Sequence, residues 1–237
     1  MSEIYSSTNV LRCEKKYLLN LVEKVRTEAY LDRLLIQDPH NGAGGYTVRS
    51  LYFDTVFDKD FFDKKDGLET RRKVRLRIYD PLDEQVLLEI KQKQGENQRK
   101  RSLVLSRSHA ERIIAGDFTP LLEYKGDFAA ECYAIMETGC YRPKTIVEYH
   151  RKAYIAKENR TRITFDSGIR ATESSKDFFD PHLVLNPVID EHSAVMEVKY
   201  NGFLLSYIKQ LLDCADKTPV SVSKYLLARQ QGYGTQL

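Results

Sequence analysis

Apolar and charged residues alternate along several short segments of this chain, and this alternation constrains the fold more than any other feature. Between residues 73 and 78, Val74, Leu76 and Ile78 alternate with Lys or Arg. In residues 86–93, Val86, Leu88 and Ile90 take even positions, while Glu89, Lys91 and Lys93 take odd positions. Because residues two apart in a β-strand point to the same face, both segments predict strands with one apolar and one ionised face.

Paired charges separated by one residue recur in these predicted strands. The pairs are Glu14–Lys16, Glu89–Lys91, Glu197–Lys199 and Arg75–Arg77. Each pair lies on one strand face. The sequence therefore predicts a sheet surface that carries both cations and carboxylates.

Hydrophobic periodicity and turn signals divide the chain into roughly eight strands and several helices. The strands are expected at residues 11–19, 46–55, 73–78, 86–93, 99–105, 146–156, 160–171 and 194–200. The helices are expected at residues 20–37, 59–65, 127–137, 203–214 and 223–231, with one more opened by a capping box at Ser108. Strands this numerous, each with one ionised face, predict an α+β fold built on a barrel or a strongly curved antiparallel sheet.

Length, charge and cysteine content exclude several classes of protein. The 237 residues fit one large domain or two small ones, and a net charge of +3 does not by itself indicate nucleic-acid binding. The cysteines lack zinc-binding spacing, and no P-loop motif is present. No apolar run approaches the roughly 20 residues of a membrane span, and the N-terminal segment lacks the apolar stretch of a secretory signal. We therefore expect a cytoplasmic protein with no nucleic-acid partner.

The ionised strand faces have two interpretations. The simpler one is the solvated face of an antiparallel sheet. However, cations such as Arg75, Arg77 and Lys91 repel one another when brought together unless an anion neutralises them. Phosphate chains meet this need, because Arg binds phosphate oxygens bidentately and Lys supplies a point charge. Carboxylates become useful there when Mg²⁺ or Mn²⁺ bridges them to phosphate. Ser223 is predicted as an N-cap, which would place a helix N-terminus and Lys224 beside such an anion.

Eight short motifs run through nearly the whole chain. They are Arg-x-Glu-x-Lys-Tyr (12–17), Ser-Leu-Tyr-Phe-Asp-Thr (50–55), Arg-Leu-Arg-Ile-Tyr (75–79), Leu-Glu-Ile-Lys (88–91), Val-Glu-Tyr-His-Arg-Lys-Ala-Tyr (147–154), Arg-Ile-Thr-Phe-Asp (162–166), Met-Glu-Val-Lys-Tyr (196–200) and Ser-Val-Ser-Lys-Tyr (221–225). In this order they resemble the polyphosphate polymerase domain of the vacuolar transporter chaperone (VTC) complex, within the CYTH-like triphosphate tunnel metalloenzymes. The resemblance implies a single catalytic domain over residues 1–237, an eight-stranded antiparallel β-barrel that forms a tunnel, with helices packed around it.

The resemblance also implies an activity and its residues. Members of that family build polyphosphate from ATP with a divalent metal, Mn²⁺ or Mg²⁺. Carried over motif by motif, the catalytic phosphate ligands are Arg75, Arg77, Lys91, Arg151, Arg162 and Lys199. The further substrate-binding residues are Lys16, Lys100, Ser223 and Lys224. Glu197 is the first candidate for metal ligation, and Glu89 and Glu14 follow, with ion pairs that orient neighbouring cations as their alternative role. The expected partners are ATP, pyrophosphate and polyphosphate, together with a membrane protein for export.

Arg12 departs from the pattern of the hydrolytic and cyclase branch, which opens with Glu-x-Glu-x-Lys, and this favours the polymerase branch. The chain also lacks the inositol-phosphate-sensing domain and membrane helices of the eukaryotic complex, so the resemblance is to a stand-alone catalytic domain. Two alternatives stay open. One is a triphosphatase on the same scaffold, and the other is a non-catalytic module that binds polyphosphate or nucleotide.

Overall fold

The computed structural model describes residues 12–95, 97–173, 175–213 and 219–234. Its strands are β1 (Arg12–Asn20), β2 (Ile36–Gln37), β3 (Tyr46–Asp54), β4 (Arg71–Ile78), β5 (Gln85–Gln94), β6 (Asn97–Ser106), β7 (Arg142–Ala156), β8 (Thr161–Thr172), β9 (Asn186–Pro187) and β10 (Ser193–Asn201). Its α-helices are α1 (Leu21–Leu34), α2 (Lys59–Lys65), α3 (Arg107–Ile114), α4 (Asp127–Thr138), α5 (Ser206–Asp213) and α6 (Lys224–Gly234). None of these helices is both long enough and apolar enough to cross a membrane. The predicted α+β class is confirmed.

All ten strands belong to one antiparallel sheet. The eight long strands lie in the order β1-β10-β8-β7-β3-β4-β5-β6, while β2 pairs with β7 and β9 pairs with β8. Although β1 and β5 are far apart in this order, Lys91 Nζ on β5 lies 3.2 Å from Glu14 Oε2 on β1. The sheet therefore curves until its two ends face each other. We call the side that lines the enclosed space the inner face.

The expectation of a closed eight-stranded barrel is not confirmed. The sheet has ten strands, and along the described residues its hydrogen-bonded path runs from β1 to β6 without joining them. Alternation in the sequence predicts which face a residue occupies, whereas closure needs the first and last backbones to approach within about 4.8 Å. Here side chains such as Glu14 and Lys91 span part of the gap instead. Strands β2 and β9 were not predicted, because a strand of two residues is too short to show an alternating pattern.

The other predicted elements are confirmed, with some shifted boundaries. The first helix ends at Leu34 rather than at 37, because Ile36 and Gln37 pair with β7. The third helix begins after Ser106 rather than at Ser108, since the Ser106 hydroxyl accepts a hydrogen bond from the backbone N–H of His109 at 3.3 Å. Helix α5 begins at Ser206, three residues later than predicted. Residues 11 and 214, the ends of two predicted elements, lie outside the described residues.

Two apolar clusters cover the outer face of the sheet. One joins Leu76 and Leu88 to buried residues of α3 and α4, including Met136. The other joins Phe165 of β8 to Leu31 of α1 and to Ile208 of α5. These clusters account for the apolar strand faces that the sequence predicted, and they leave the opposite strand faces directed inward.

A third apolar cluster lies on the inner face. Val48, Tyr52 and Val195 of the sheet pack there with Phe61 of α2 and Tyr225 of α6. The alternation of charged residues predicted an ionised strand face throughout, so this apolar part of the inner face is a correction. Helix α6 covers this apolar part through Tyr225 and Ala228, so the ionised side chains occupy the rest of the inner face.

Candidate functional site

Glu89 is the centre of one ion cluster on the inner face. Its carboxylate, only 2% exposed, accepts a hydrogen bond from Arg75 Nε at 2.6 Å, and Arg77 Nη1 lies 3.6 Å away. The other carboxylate oxygen contacts the ammonium group of Lys100. Burial alone would raise the pKa of Glu89, but Arg75, Arg77 and Lys100 hold it well below its ordinary value. Glu89 is therefore an anion that positions three cations.

Glu197 is the centre of a second ion cluster on the opposite wall. Its Oε1 lies 3.3 Å from Lys16 Nζ and 3.2 Å from Lys224 Nζ. Its Oε2 lies 3.0 Å from Lys199 Nζ and 4.0 Å from the guanidinium of Arg151. Burial opposes ionisation here too, but these cations hold the pKa of Glu197 well below its ordinary value. Glu197 stays ionised among four cations.

Asp166 fixes two of those cations and was not among the predicted site residues. Its fully buried carboxylate receives two hydrogen bonds from Arg151, at 2.7 and 2.8 Å, and lies 2.5 Å from Lys224 Nζ. The signal for Asp166 was present in the sequence. It lies four residues after Arg162 in the same strand, and even spacing places both on one face.

Glu14 links the Glu197 cluster to β5, the strand that carries Glu89. One of its oxygens lies 3.2 Å from Lys16, which also contacts Glu197, and the other lies 3.2 Å from Lys91 of β5. Burial opposes the ionised form, but Lys91 and Lys16 lower the pKa of Glu14 to about 2. A chain of alternating charges therefore runs from one wall of the interior to the other.

Arg162 stands apart from these clusters. Its guanidinium lies 2.8 Å from Asp38, whose side chain is 2% exposed, and donates a hydrogen bond to the Tyr46 hydroxyl at 3.0 Å. Asp38 and Tyr46 were not predicted as site residues. Asp38 lies in a turn, where the sequence offers no periodicity that would place it near β8.

Ser223 caps α6, as the sequence predicted. Its hydroxyl accepts a hydrogen bond from the backbone N–H of Leu226 at 3.3 Å and another from Lys73 Nζ at 2.7 Å. Lys73 was placed on the charged strand face by the sequence but was omitted from the predicted site. The start of the helix therefore places Ser223 and Lys224 at the ionised part of the inner face.

The inner face carries more positive than negative charge. Among its cations are Lys16, Lys73, Arg75, Arg77, Lys91, Lys100, Arg151, Arg162, Lys199 and Lys224, and among its carboxylates are Glu14, Asp38, Glu89, Asp166 and Glu197. The excess of cations suits a ligand with several negative charges. Arg forks and Lys ammonium groups in a partly desolvated cleft bind phosphate oxygens well.

Along the described part of the chain, no three His, Cys, Asp or Glu side chains come together as a metal site. Glu14 and Glu197 nevertheless lie on either side of Lys16, at 3.2 and 3.3 Å from its ammonium group. Mg²⁺ commonly binds through one or two carboxylates together with substrate phosphates. The donor set thus fits a divalent ion that binds together with phosphate.

Comparisons with known proteins identify the family from the sequence and the fold from the structure. The VTC domain family model matches residues 11–233. A candidate adenylate cyclase from Bacillus halodurans has a similar structure, with a TM-score of 0.53 at 12% identity over 92% of this chain and 95% of that one. A candidate adenylyl cyclase from Hippeastrum, described as having a dominant triphosphatase activity, is also similar in structure. Its TM-score is 0.52 at 14% identity, over 92% of this chain and 96% of that one. No curated protein is similar to this chain in sequence.

Proposed function

Because this chain belongs to the VTC domain family, we propose that it is a metal-dependent polyphosphate polymerase. It transfers the γ-phosphate of ATP to a growing polyphosphate chain and releases ADP. The observation that carries this proposal is the cationic inner face, where two ion clusters lie on opposite walls and Glu14 pairs with Lys16 on one wall and Lys91 on the other. The proposed location is the cytoplasm, which supplies ATP, and a membrane protein would receive the product for export.

The cations hold the triphosphate of ATP and the end of the acceptor chain. Arg75 and Arg77 on one wall and Lys16, Lys199 and Lys224 on the other supply the positive charge. Phosphoryl transfer requires mainly positioning and stabilisation of the charge that spreads over the transferred group. Burial strengthens both, because fewer water molecules compete for the phosphate oxygens.

Glu197, with Glu14 beside it, would hold the divalent ion, Mn²⁺ or Mg²⁺. The bound ion would neutralise phosphate charge and orient the phosphate oxygens. Glu89 is assigned the other role, because Arg75, Arg77 and Lys100 surround it and it orients all three.

The reaction needs no protein nucleophile. A terminal oxygen of pyrophosphate or polyphosphate attacks the γ-phosphorus in line, a new P–O bond forms, and the bond between that phosphorus and the β,γ-bridging oxygen breaks. That bridging oxygen leaves as part of ADP. Because the attacking oxygen is already anionic, no general base is required.

Incubation of the protein with ATP, Mn²⁺ and a pyrophosphate primer tests the proposal. We expect long chains on a polyphosphate-stained gel, with one ADP per phosphate incorporated, and loss of both on addition of EDTA. Arg75→Ala should lower the rate by about 10²-fold, because a charge-stabilising donor is lost. The matched control is Arg170→Ala, an exposed arginine that pairs with Glu191 on the protein surface.

The products distinguish the remaining candidate functions. Free phosphate without chains would overturn the polymerase and support a triphosphatase, the activity described for the Hippeastrum protein of similar fold. ATP or polyphosphate binding that survives EDTA, without turnover, would support a binding module. Equal losses in the Arg75 and Arg170 variants would mean that the inner face is not the site of the reaction.

A further inference from the structure

A second group of cations lies beside the ion clusters, at the end of the inner face where β4 begins. It consists of Lys64 on α2, Arg71 and Lys73 on β4, and Lys93 on β5, and we call it the mouth cluster. Arg71 is directly opposite Lys93 in the pairing of β4 with β5. Each of these four residues is half-buried.

The mouth cluster differs from the ion clusters because it contains no counter-ion. Over the residues that the structure describes, none of its four members has a carboxylate within 4 Å, whereas the ion clusters form around Glu89 and Glu197. Two hydroxyl groups hold its lysines instead. Lys64 donates a hydrogen bond to Ser221 at 3.1 Å, and Lys73 donates one to Ser223 at 2.7 Å.

Mutual repulsion shows that these cations are close enough to act together. Burial, Arg71, Lys16 and Lys93 lower the pKa of Lys64. Burial, Lys16, Lys91 and Lys64 lower the pKa of Lys73 well below its ordinary value. Like charges opposite each other in a sheet are destabilising, so an anion that binds here relieves repulsion.

The mouth cluster continues a row of cations along one strand. Arg77, Arg75, Lys73 and Arg71 are alternate residues of β4 on the inner face. Alternate residues lie about 6.7 Å apart, so the row extends over about 20 Å. This length exceeds what one triphosphate group covers, and only its first half carries the counter-ion Glu89.

We propose that Lys64, Arg71, Lys73 and Lys93 form a second anion-binding site, which takes the part of a condensed phosphate chain that extends beyond the phosphates held by the ion clusters. This inference rests on the proposed function for the nature of the ligand. We therefore expect the protein to bind long condensed phosphates more tightly than tripolyphosphate, and we expect the mouth cluster to cause this difference.

Direct binding measurements on the full chain test this site without any turnover. Tripolyphosphate and a polyphosphate of defined greater length are titrated by calorimetry into the wild type and the Lys64→Ala/Lys93→Ala variant. We expect about tenfold weaker binding of the long chain and a change of less than about twofold for tripolyphosphate. Lys73 is left intact because it neighbours Lys16 and Lys91. The charge-matched control is Lys15→Ala/Lys65→Ala, two exposed lysines, the second on the same helix.

Each outcome decides the inference separately from the proposed function. A loss of affinity confined to the long chain supports a binding site at the mouth cluster, whether or not the protein synthesises polyphosphate. Equal losses of affinity for both ligands, or the same loss in the control variant, would indicate a general effect of charge and would overturn the inference. Unchanged binding of the long chain would also overturn it. Failure of the polymerase would appear in the product assay, with binding intact.

Discussion

Glu89 is the residue on which one wall of the site depends. One carboxylate, 2% exposed, holds Arg75, Arg77 and Lys100. Removal of a buried counter-ion is more costly than removal of an exposed one, because its partners stay charged and lose their compensation. The role of Glu89 can therefore be tested through stability as well as through activity.

We expect Glu89→Gln to lower the free energy of unfolding by about 3 kcal/mol, because three cations lose their shared anion. Urea unfolding measures this loss. Tripolyphosphate should reduce the difference from the wild type, since it supplies negative charge at the same place. Glu84→Gln, an exposed carboxylate just before the same strand, is the control and should change stability by less than about 0.5 kcal/mol. A Glu89 variant as stable as the Glu84 variant would contradict the assigned role.

Single residues of the site were predictable where they occupied alternate positions of a strand. Arg75, Arg77, Lys91 and Lys199 belong to such rows, and the structure places them on the inner face. Asp38 could not be predicted in this way, because its contact with Arg162 joins a turn to a strand distant in sequence. Spacing predicts the face of a side chain but not its ion-pair partner.

At the scale of elements, Asp54 connects α2 and α6 to the end of β3. Its carboxylate accepts hydrogen bonds from the backbone N–H groups of Asp60 and Phe61, both at 2.9 Å, and from the Tyr225 hydroxyl at 2.5 Å. The side chain of Asp60 lies nearby and accepts a hydrogen bond from Tyr141 at 2.8 Å. The placement of Ser223 and Lys224 therefore depends on a buried network around the adjacent Tyr225.

This network predicts a pH dependence of stability. Burial and Asp54, with a smaller effect of Asp63, raise the pKa of Asp60 from 3.8 to about 7, against the opposing effects of Tyr141 and Arg72. Between about pH 4 and pH 7 the folded state binds more protons than the unfolded state, so Asp60 lowers stability as the pH rises. Above about pH 7, this loss of stability is complete.

We expect Asp60→Asn to be more stable than the wild type at pH 8, by about 1–3 kcal/mol, because Asn imitates the neutral carboxyl and accepts the Tyr141 hydrogen bond. The gain should fall toward zero near pH 4. Unfolding by denaturant across this range measures it, with the exposed Asp66→Asn as control. A gain that does not vary with pH would show that Asp60 does not titrate in this range.

Most elements could be predicted, because long strands and amphipathic helices carry a clear period. Two local features could not be predicted from the sequence. The inner apolar cluster of Val48, Tyr52 and Val195 reverses the polarity of the inner face, since α6 covers strands already covered on the outside. The end of α1 was misplaced because Ile36 and Gln37 pair with β7, a contact between residues more than a hundred positions apart.

For the whole molecule, the excess of cations on the inner face predicts stabilisation by polyanions. Tripolyphosphate at 100 times its dissociation constant should add about 2.7 kcal/mol to the free energy of unfolding. For a chain of this length, that corresponds to an increase of about 5–10 °C in Tm. Sodium chloride at equal ionic strength is the control. An equal increase with chloride, or an undiminished increase in an Arg75→Ala/Arg77→Ala variant, would contradict specific binding on the inner face.

The fold class followed from the number and polarity of the predicted strands, but the openness of the sheet did not. Whether β1 meets β6 depends on how strongly eight long strands curve together, and this is a property of the whole sheet rather than of a segment. The comparison structures share the fold at only 12% and 14% identity.

The resident carboxylates have a consequence for the movement of a polymer. Every cation of the two ion clusters already has a carboxylate partner before any phosphate arrives. An incoming phosphate therefore replaces an existing partner, and a departing phosphate is replaced in turn by the carboxylate. In the proposed polymerase, a long chain would therefore advance by one unit at a time, because each cation exchanges a phosphate for its resident carboxylate rather than losing its anion outright.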